Sequence, residues 1–335
     1  MKIQKSKMLP LTILLTILFC VEAKADEPVA KEKPRMLMVT QSKGYRHGPV
    51  NRKKQLMAPA EKAMQALGKS TGLFEVDFSQ DCATHLTKEN LKKYSLVAFY
   101  TSGDLPIAKD DLKYLLDEWM HQPGNGFLGF HSATDTFKEH EPYWDFVGGS
   151  FNGHPWGSNT KVMMKVHDTE HPAMKPFGAE FEFTEEIYQY YHWQPEKVRV
   201  LMSIDMGKTD VKRPWHVPVA WVKKVGEGKM FYTNLGHRED TWENEKFLKS
   251  IEGAVKWLQG TEAGESTPNP EVSKQHHQDS VDAAKAAGIT KESVEAEERA
   301  KAERRRANQE RKKKKAAAEA AKKAKAKKEK AGAGK

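Results

Sequence analysis

The stretch "GFLGFHSATDTF", residues 126–137, contains an apolar run that breaks into a tight polar turn at His131. Short, continuous apolar runs of this kind are typical of strands that are buried on both faces. Gly129 and Ala133 flank the turn and allow close approach of a strand and a helix, as at the turn that presents a nucleophilic Ser or Cys in many α/β enzymes. The stretch therefore predicts a buried parallel strand with a histidine where a nucleophile often stands.

The segments on either side repeat the same alternation of strand and helix. Helical spacing is found over residues 51–67, 87–93 and 108–120. Strand-helix alternation predicts a flavodoxin-like α/β fold, in which helices cover both faces of a parallel sheet. The four predicted strands are "RMLMVTQ" (35–41), "FEVDF" (74–78), "SLVAFYT" (95–101) and "GFLGFHS" (126–132).

After about residue 160 the predicted strands follow one another with little helix between them. We expect them to be antiparallel or edge additions, with "MFYTNLG" (230–236) returning to the main sheet. A final helix over 242–259 then closes a single domain of residues 35–260. The four strands are "KVMMKVH" (161–167), "VRVLMSI" (198–204), "PVAWVKKV" (218–225) and "KMFYTNLG" (229–236).

The first 25 residues have the pattern of a secretory signal peptide. Three lysines precede an apolar run from Leu9 to Val21, and Ala25 ends a small-residue cleavage site. The run is too short to be expected to span a membrane. Cys20 raises a lipoprotein alternative, but the bulky Phe19 before it argues against that processing. We therefore expect a secreted or periplasmic protein, cleaved near Ala25, with a short linker over 26–34 and no transmembrane span in the mature chain.

Cleavage near Ala25 would leave Cys82 as the only cysteine of the mature chain. A single cysteine cannot form an intramolecular disulfide. The sequence therefore predicts that the exported domain depends on its hydrophobic core for stability.

The positive charge of the chain is concentrated at its ends. The net charge is +9, but residues 261–335 contain 20 Lys and Arg against 13 Asp and Glu, and residues 1–25 contain four against one. The intervening residues are therefore close to neutral. Residues 261–335 lack Phe, Trp and Tyr, and we expect them to form a disordered or fluctuating-helix tail. Such a tail favours weak attraction to an anionic envelope polymer, and without stacking aromatics it does not favour specific nucleic-acid binding.

Polar residues follow several of the predicted parallel strands. Ligands of open parallel sheets bind beyond the carboxyl ends of the strands, so we expect these residues to share one rim. The imidazole of His131 suits general acid-base chemistry, with Asp104 and Asp240 as partners that orient or share protons. The candidates for substrate binding at this rim are Tyr45, His47, Ser132, His237 and Arg238.

A glycine-rich loop, "GGSFNGHPW" (148–156), adds His154 and Trp156, a pair that would suit the face of a sugar ring. The histidines show no compact zinc-binding spacing. A divalent metal such as zinc, held by residues from distant strand ends, therefore stays open as an alternative use of the same side chains.

Several motifs, in this order, resemble the ThuA-like, trehalose-utilisation domain. They are "MVTQSKGYRH", "YTSGD", "GFLGFHSATDTF", "VGGSFNGHP", "DTEHPAM" and "GHREDTWENEKF". The resemblance covers about residues 35–260 and implies membership of the class I glutamine amidotransferase-like superfamily, with a flavodoxin-like sheet.

The resemblance also bears on function. In true amidotransferases the matching turn carries a catalytic cysteine, and here His131 stands in its place, so thiol-dependent glutamine hydrolysis is not expected. The family's association with disaccharides and 3-keto sugars implies a carbohydrate substrate and a hydrolase, lyase or isomerase activity. A non-catalytic carbohydrate-binding module remains the alternative.

Overall fold

The computed structural model describes residues 33–304, 306–307 and 310–311. The predicted signal peptide, most of the linker and residues 312–335 lie outside the described residues. Among the helices that are described, none is both long enough and apolar enough to cross a membrane.

Nine strands form one mixed sheet in the order β2-β1-β3-β4-β11-β10-β9-β6-β7, and β5 and β8 form a separate two-stranded sheet. The strands are β1 (Arg35–Val39), β2 (Glu75–Ser79), β3 (Leu96–Phe99), β4 (Gly126–Phe130), β5 (Ser150–Phe151), β6 (Lys161–Val166), β7 (Glu180–Thr184), β8 (Tyr190–Tyr191), β9 (Arg199–Ile204), β10 (Pro218–Val225) and β11 (Gly228–Thr233).

The first five strands of the large sheet, β2-β1-β3-β4-β11, are all parallel. Their order is that of a flavodoxin-like sheet. The remaining pairs, from β11 through β10, β9 and β6 to β7, are antiparallel. The α/β fold is therefore confirmed, including the antiparallel additions and the return of β11 to the parallel core.

Helices cover both faces of the sheet, as the alternation predicts. Two hydrophobic clusters, one on each face, contain the alternate side chains of β1, β3 and β4, as expected for strands buried on both sides. The helices are α1 (Pro59–Thr71), α2 (Cys82–His85), α3 (Lys88–Leu91), α4 (Lys109–Lys113) with a π-helical continuation (Tyr114–Trp119), α5 (Glu141–Val147), α6 (Glu245–Leu258) and α7 (Pro270–Ala286).

Helix α1 begins eight residues later than the predicted helix over 51–67. Pro59 occupies its first turn, where a missing backbone N–H costs nothing. The buried Glu61 accepts a hydrogen bond from the backbone N–H of Ala58 (2.8 Å) and pairs with Arg52 (2.9 Å). Residues 51–58 are therefore not helical. Tyr45 and His47 lie before the short 3₁₀ helix Gly48–Val50, at the carboxyl edge of the sheet.

The segment after residue 260 differs from the expected tail. Helix α7 packs against the domain with Ser273, His276, Ser280 and Ala284 buried, and residues 291–304 are also helical, with Val294 only 2% exposed. Small and polar side chains make these contacts, which is why the lack of large apolar residues does not reveal them. The strongly basic residues 312–335 lie outside the described residues.

A group of buried and partly buried histidines joins α7 to the antiparallel part of the sheet. Ser203 Oγ lies 3.0 Å from His167 Nε2 and 2.6 Å from His216 Nε2, and the ring of His276 lies 4.4 Å from that of His167. Burial and the neighbouring His276 lower the pKa of His167 to about 3 and that of His216 well below its usual value. Both rings are therefore neutral in the folded protein.

We predict that acid destabilises the fold through these two histidines. Below pH 6.5 the unfolded chain binds protons that folded His167 and His216 do not. His167 alone can therefore remove up to about 1.4 kcal/mol of unfolding free energy per pH unit as the pH falls towards 3, and His216 acts in the same direction. Chemical denaturation of wild type and His167→Gln between pH 7 and 4 should show a smaller pH slope for the variant. Equal slopes would contradict a neutral buried His167.

Candidate functional site

Three of the predicted histidines meet at the carboxyl edge of the parallel strands. His47 follows β1, His131 follows β4 and His237 follows β11. The ring centroid of His47 lies 4.8 Å from that of His131 and 5.2 Å from that of His237, and the other two are 5.1 Å apart. Residues separated by almost two hundred positions therefore form one cluster.

His131 occupies a strained turn between β4 and the 3₁₀ helix His131–Asp135. Its φ is +41°, a region that non-glycine residues rarely adopt. A Cβ at Gly129 would lie 2.8 Å from the Tyr232 ring, so only glycine fits there. Tyr232 also donates a hydrogen bond from its hydroxyl to the His131 carbonyl (2.6 Å). The turn thus has the geometry of a nucleophile elbow, with an imidazole in the key position.

The orientation of the His131 ring is fixed by a backbone carbonyl. Nδ1 lies 2.7 Å from the Asn234 oxygen, which can only accept, so Nδ1 carries the proton. Nε2 is left with its lone pair, buried and without a hydrogen-bond partner among the described residues. Histidines that bind metals show the same arrangement, in which the second nitrogen donates to a carbonyl or carboxylate.

Glu186 completes the cluster and was not among the predicted residues. Its Oε1 lies 3.5 Å from His131 Nε2 and 3.6 Å from His237 Nε2. Its Oε2 lies 3.4 Å from Nδ1 of His154, the histidine of the glycine-rich loop. Tyr188, also missed, contributes a hydroxyl 3.2 Å from His47 Nε2. The segment after β7 therefore supplies a side of the site.

The buried Glu185 holds this segment against the end of β11. One of its oxygens accepts hydrogen bonds from the Gly236 N–H (3.1 Å) and the Thr241 hydroxyl (2.8 Å), and the other accepts from the Glu186 N–H (2.9 Å). Burial raises the pKa of Glu185 to about 7. Glu185 thus connects the two segments that carry Glu186 and His237.

Burial keeps the imidazoles of the cluster neutral. Desolvation, together with the neighbouring histidines, lowers the pKa of His47 to about 2 and that of His131 well below its usual value. Desolvation also lowers the pKa of His237, against the attraction of Glu186. Neutral imidazole is the form that binds metals. The same burial disfavours the protonated form of His131, which is the form that a role as general acid requires.

The four side chains of His47, His131, Glu186 and His237 can together hold a metal ion. Each offers one ligand atom, and these atoms all lie within 4.8 Å of one another. In tetrahedral zinc sites with bonds of about 2.0–2.1 Å, neighbouring ligand atoms are about 3.4 Å apart. The two Glu186 distances of 3.5 and 3.6 Å are close to this spacing, whereas the full set spans up to 4.8 Å. The donor types therefore suit zinc or a similar divalent ion, with the ligands drawn closer on binding.

The cluster opens to solvent on the side of His237. An open cavity of about 430 Å³ adjoins this ring and is lined by Gly48, Pro49, Ser158, His237, Arg238, Glu239 and Asp240. Tyr45, 68% exposed, has its ring 4.8 Å from that of His47, and the side chain of His154 is 47% exposed. Polar and aromatic side chains therefore surround the entrance.

The other predicted residues lie outside the cluster. Asp104 is exposed. Asp240 is also exposed and pairs with Arg238 (2.6 Å), which places both at the entrance. Ser132 is buried in the 3₁₀ turn, only 1% exposed. Trp156 is wholly buried and donates its indole N–H to the Asp210 carbonyl (2.9 Å), so it cannot present a face to a sugar as predicted.

Cys82 does not have the properties of a reactive thiol. It is 1% exposed, and burial together with Asp81 raises its pKa to about 12. Reactive cysteines have the opposite properties, an exposed sulfur and a lowered pKa. The described part of the chain therefore supports the prediction that no thiolate nucleophile takes the place of His131.

Comparisons with known proteins agree with the fold. The family model described as "ThuA: Trehalose utilisation" matches residues 35–258. A putative ThuA-like protein from Bacteroides uniformis is 21% identical, with a TM-score of 0.54 over 72% of this chain and 97% of its own. A putative ThuA-like protein from Parabacteroides merdae is 13% identical, with a TM-score of 0.53 over 70% and 92% of the two chains. None of the curated proteins compared with this sequence matches it.

We predict that Cys82 resists alkylation in the native protein because its thiol is both buried and protonated at pH 8. Mass spectrometry after iodoacetamide treatment should find the Cys82 peptide unmodified in native protein and fully modified in urea. Rapid modification of the native protein would show that the thiol is accessible and would reopen the question of a thiol nucleophile.

We also predict that Glu185→Gln weakens divalent-metal binding by about 10- to 100-fold, the usual effect of losing a residue that orients a ligand. The amide nitrogen of Gln cannot accept the hydrogen bonds that one carboxylate oxygen now receives. Zinc affinity can be measured by competition with a chelator, using Glu182→Gln, which changes an exposed side chain of strand β7, as the control. Equal affinities would contradict the role of Glu185.

Proposed function

Because the chain belongs to the ThuA, trehalose-utilisation, family, we propose that it is an enzyme that acts on a small carbohydrate. We further propose that His47, His131, Glu186 and His237 hold a divalent metal at the centre of its active site. The observation that carries the proposal is this convergence of three neutral imidazoles and a carboxylate at the edge where open parallel sheets bind ligands.

The residues present suit a catalytic metal. Three histidines and a carboxylate are common ligands of zinc, and His131 is already oriented by the Asn234 carbonyl. His237 is the partly exposed member, so the cluster is reachable from the adjoining cavity. A bound divalent ion would supply Lewis-acid polarisation of a carbonyl or hydroxyl oxygen of the sugar.

The entrance suits a neutral, hydroxyl-rich substrate. Arg238 and Asp240 offer donors and acceptors in one fixed pair, and Tyr45 offers an exposed aromatic ring against which a sugar can pack. The cavity of about 430 Å³ falls within the range of small-ligand sites, roughly 300–1,000 Å³. We propose a disaccharide or a 3-keto sugar as the substrate class.

In this proposal His154 carries the proton-transfer role that the sequence analysis predicts for His131. It is half exposed at the entrance, and its Nδ1 lies 3.4 Å from Glu186. An imidazole in this position can exchange a proton with a bound sugar, whereas the buried His131 ring cannot reach solvent. Asp240, held by Arg238, orients substrate hydroxyls.

The amino-acid pattern of residues 1–25 supports export, with cleavage near Ala25, and the basic residues 312–335 would suit contact with an anionic envelope polymer. Amino-terminal sequencing of the protein recovered from periplasm and medium tests the first proposal. A chain that keeps Met1 in the cytoplasm would contradict it.

We predict that His131→Ala and Glu186→Gln lose bound metal and activity while keeping the fold. Removing one ligand should weaken zinc binding by at least about 100-fold and reduce turnover by a similar factor. The measurements are metal content by mass spectrometry and product analysis with trehalose, other disaccharides and their 3-keto forms. His140→Ala, which removes an exposed histidine, is the matched control.

Full activity in a metal-free His131→Ala protein would contradict the proposal. Stoichiometric sugar binding by the wild type without turnover on the whole panel would favour the binding-module alternative instead.

A further inference from the structure

The helical segment 291–304, which lies beyond the family domain, contacts the edge of the candidate site. Glu298 accepts a hydrogen bond from the side-chain amide of Gln189 (2.8 Å) and pairs with Arg213 (3.4 Å). Gln189 lies one residue after Tyr188, whose hydroxyl contacts His47. Glu298, which lies outside the domain, is therefore connected to His47 of the cluster through the neighbouring residues Gln189 and Tyr188.

Gln189 is buried, only 3% exposed, and both polar atoms of its side chain form hydrogen bonds. Its Oε1 accepts from Arg213 Nε (2.7 Å), and its Nε2 donates both to Glu298 and to the Asn152 carbonyl (2.7 Å). Its backbone is paired as well: Asn152 N–H donates to the Gln189 carbonyl (2.8 Å), and Gln189 N–H donates to the Gly153 carbonyl (3.0 Å). These bonds fix the loop that precedes His154.

This loop forms one wall of the site. Its His154 lies 3.4 Å from Glu186, and its Phe151 ring lies 4.3 Å from the Tyr188 ring. The loop is glycine-rich, and Gly153 has a φ of +92°. A glycine-rich segment has many alternative backbone conformations. Pairing of β5 with β8 holds its first residues, and the residues between β5 and His154 depend on the bonds to Gln189.

Arg213 explains why an acidic residue is needed at position 298. Its side chain is only 6% exposed, and burying a guanidinium without a compensating charge is unfavourable. Glu298 supplies that charge at 3.4 Å, with Glu297 farther away at 3.9 Å. Through one carboxylate, the network therefore connects the buried guanidinium of Arg213, the buried amide of Gln189 and the glycine-rich loop.

We propose that Glu298 is a positioning residue, which fixes the loop carrying His154 over Glu186 through Gln189 and Arg213. The carboxyl-terminal helices are then part of the active site rather than an appendage. This inference rests on the proposed function for its catalytic meaning, but the positioning itself can be measured independently of activity.

The test compares Glu298→Ala, Glu298→Gln and the control Glu295→Ala in the full chain. Glu295 is on the same helical segment and pairs only with Lys291, at 3.9 Å, among the described residues. We expect Glu298→Ala to speed amide exchange of the peptides covering 150–157 about tenfold, as expected for loss of one hydrogen bond to a charged group. Glu298→Gln keeps an oxygen that accepts from Gln189 but removes the charge opposite Arg213, so it should restore protection only in part. The control should match wild type.

A second measurement follows the geometry of the metal-binding cluster. Absorption of the cobalt(II)-loaded protein should change in Glu298→Ala, because His154 no longer orients Glu186, and should be unchanged in Glu295→Ala. Exchange in 150–157 equal to that of Glu295→Ala would overturn the inference. A uniform rise that includes β3 and β4 would also overturn it, since that would indicate general destabilisation.

Failure of the wild type to bind cobalt would count against the proposed function alone, and the exchange result would still decide the role of Glu298.

Discussion

The arrangement depends above all on the backbone at His131. A positive φ at a non-glycine residue costs on the order of 1–3 kcal/mol and persists only where surrounding contacts determine it. Here Gly129 leaves room for the Tyr232 ring, Tyr232 bonds the His131 carbonyl, and Asn234 accepts from the His131 ring. Because both partners come from the end of β11, the turn and the His237 segment are positioned by the same strand.

Much of the site followed from the sequence because parallel strands share a direction. Their carboxyl ends lie at one edge, so residues that follow β1, β4 and β11 must be near one another whatever the details of the intervening chain. His47, His131 and His237 were found in this way. The alternating clusters on the two faces of the sheet followed equally directly from continuous apolar strands.

The remaining members could not be found by the same reasoning. Glu186 and Tyr188 follow β7, the outermost antiparallel strand, and they reach the cluster only because Glu185 holds their segment against Gly236 and Thr241. The pair "EE" at 185–186 was a visible signal, but the strand before it was not predicted. The prediction that Trp156 contacts a sugar was wrong for a different reason. An aromatic residue on a glycine-rich loop can pack into the core, and here its indole N–H donates to a backbone carbonyl.

The composition of the cluster indicates what kind of group it accommodates. Buried imidazole nitrogens without partners are unfavourable in an apolar setting, and among the described residues Nε2 of His131, which faces Glu186, is one of them. Three neutral rings and one carboxylate carry a single negative charge, so a divalent cation would leave one positive charge facing the cavity beside His237. A site with one net positive charge would favour binding of the oxygen atoms of a sugar, or of an enolate formed from a keto sugar. A cysteine at the same turn would instead favour covalent chemistry. The side chain at this one position would therefore decide between metal-assisted and covalent chemistry on the same fold.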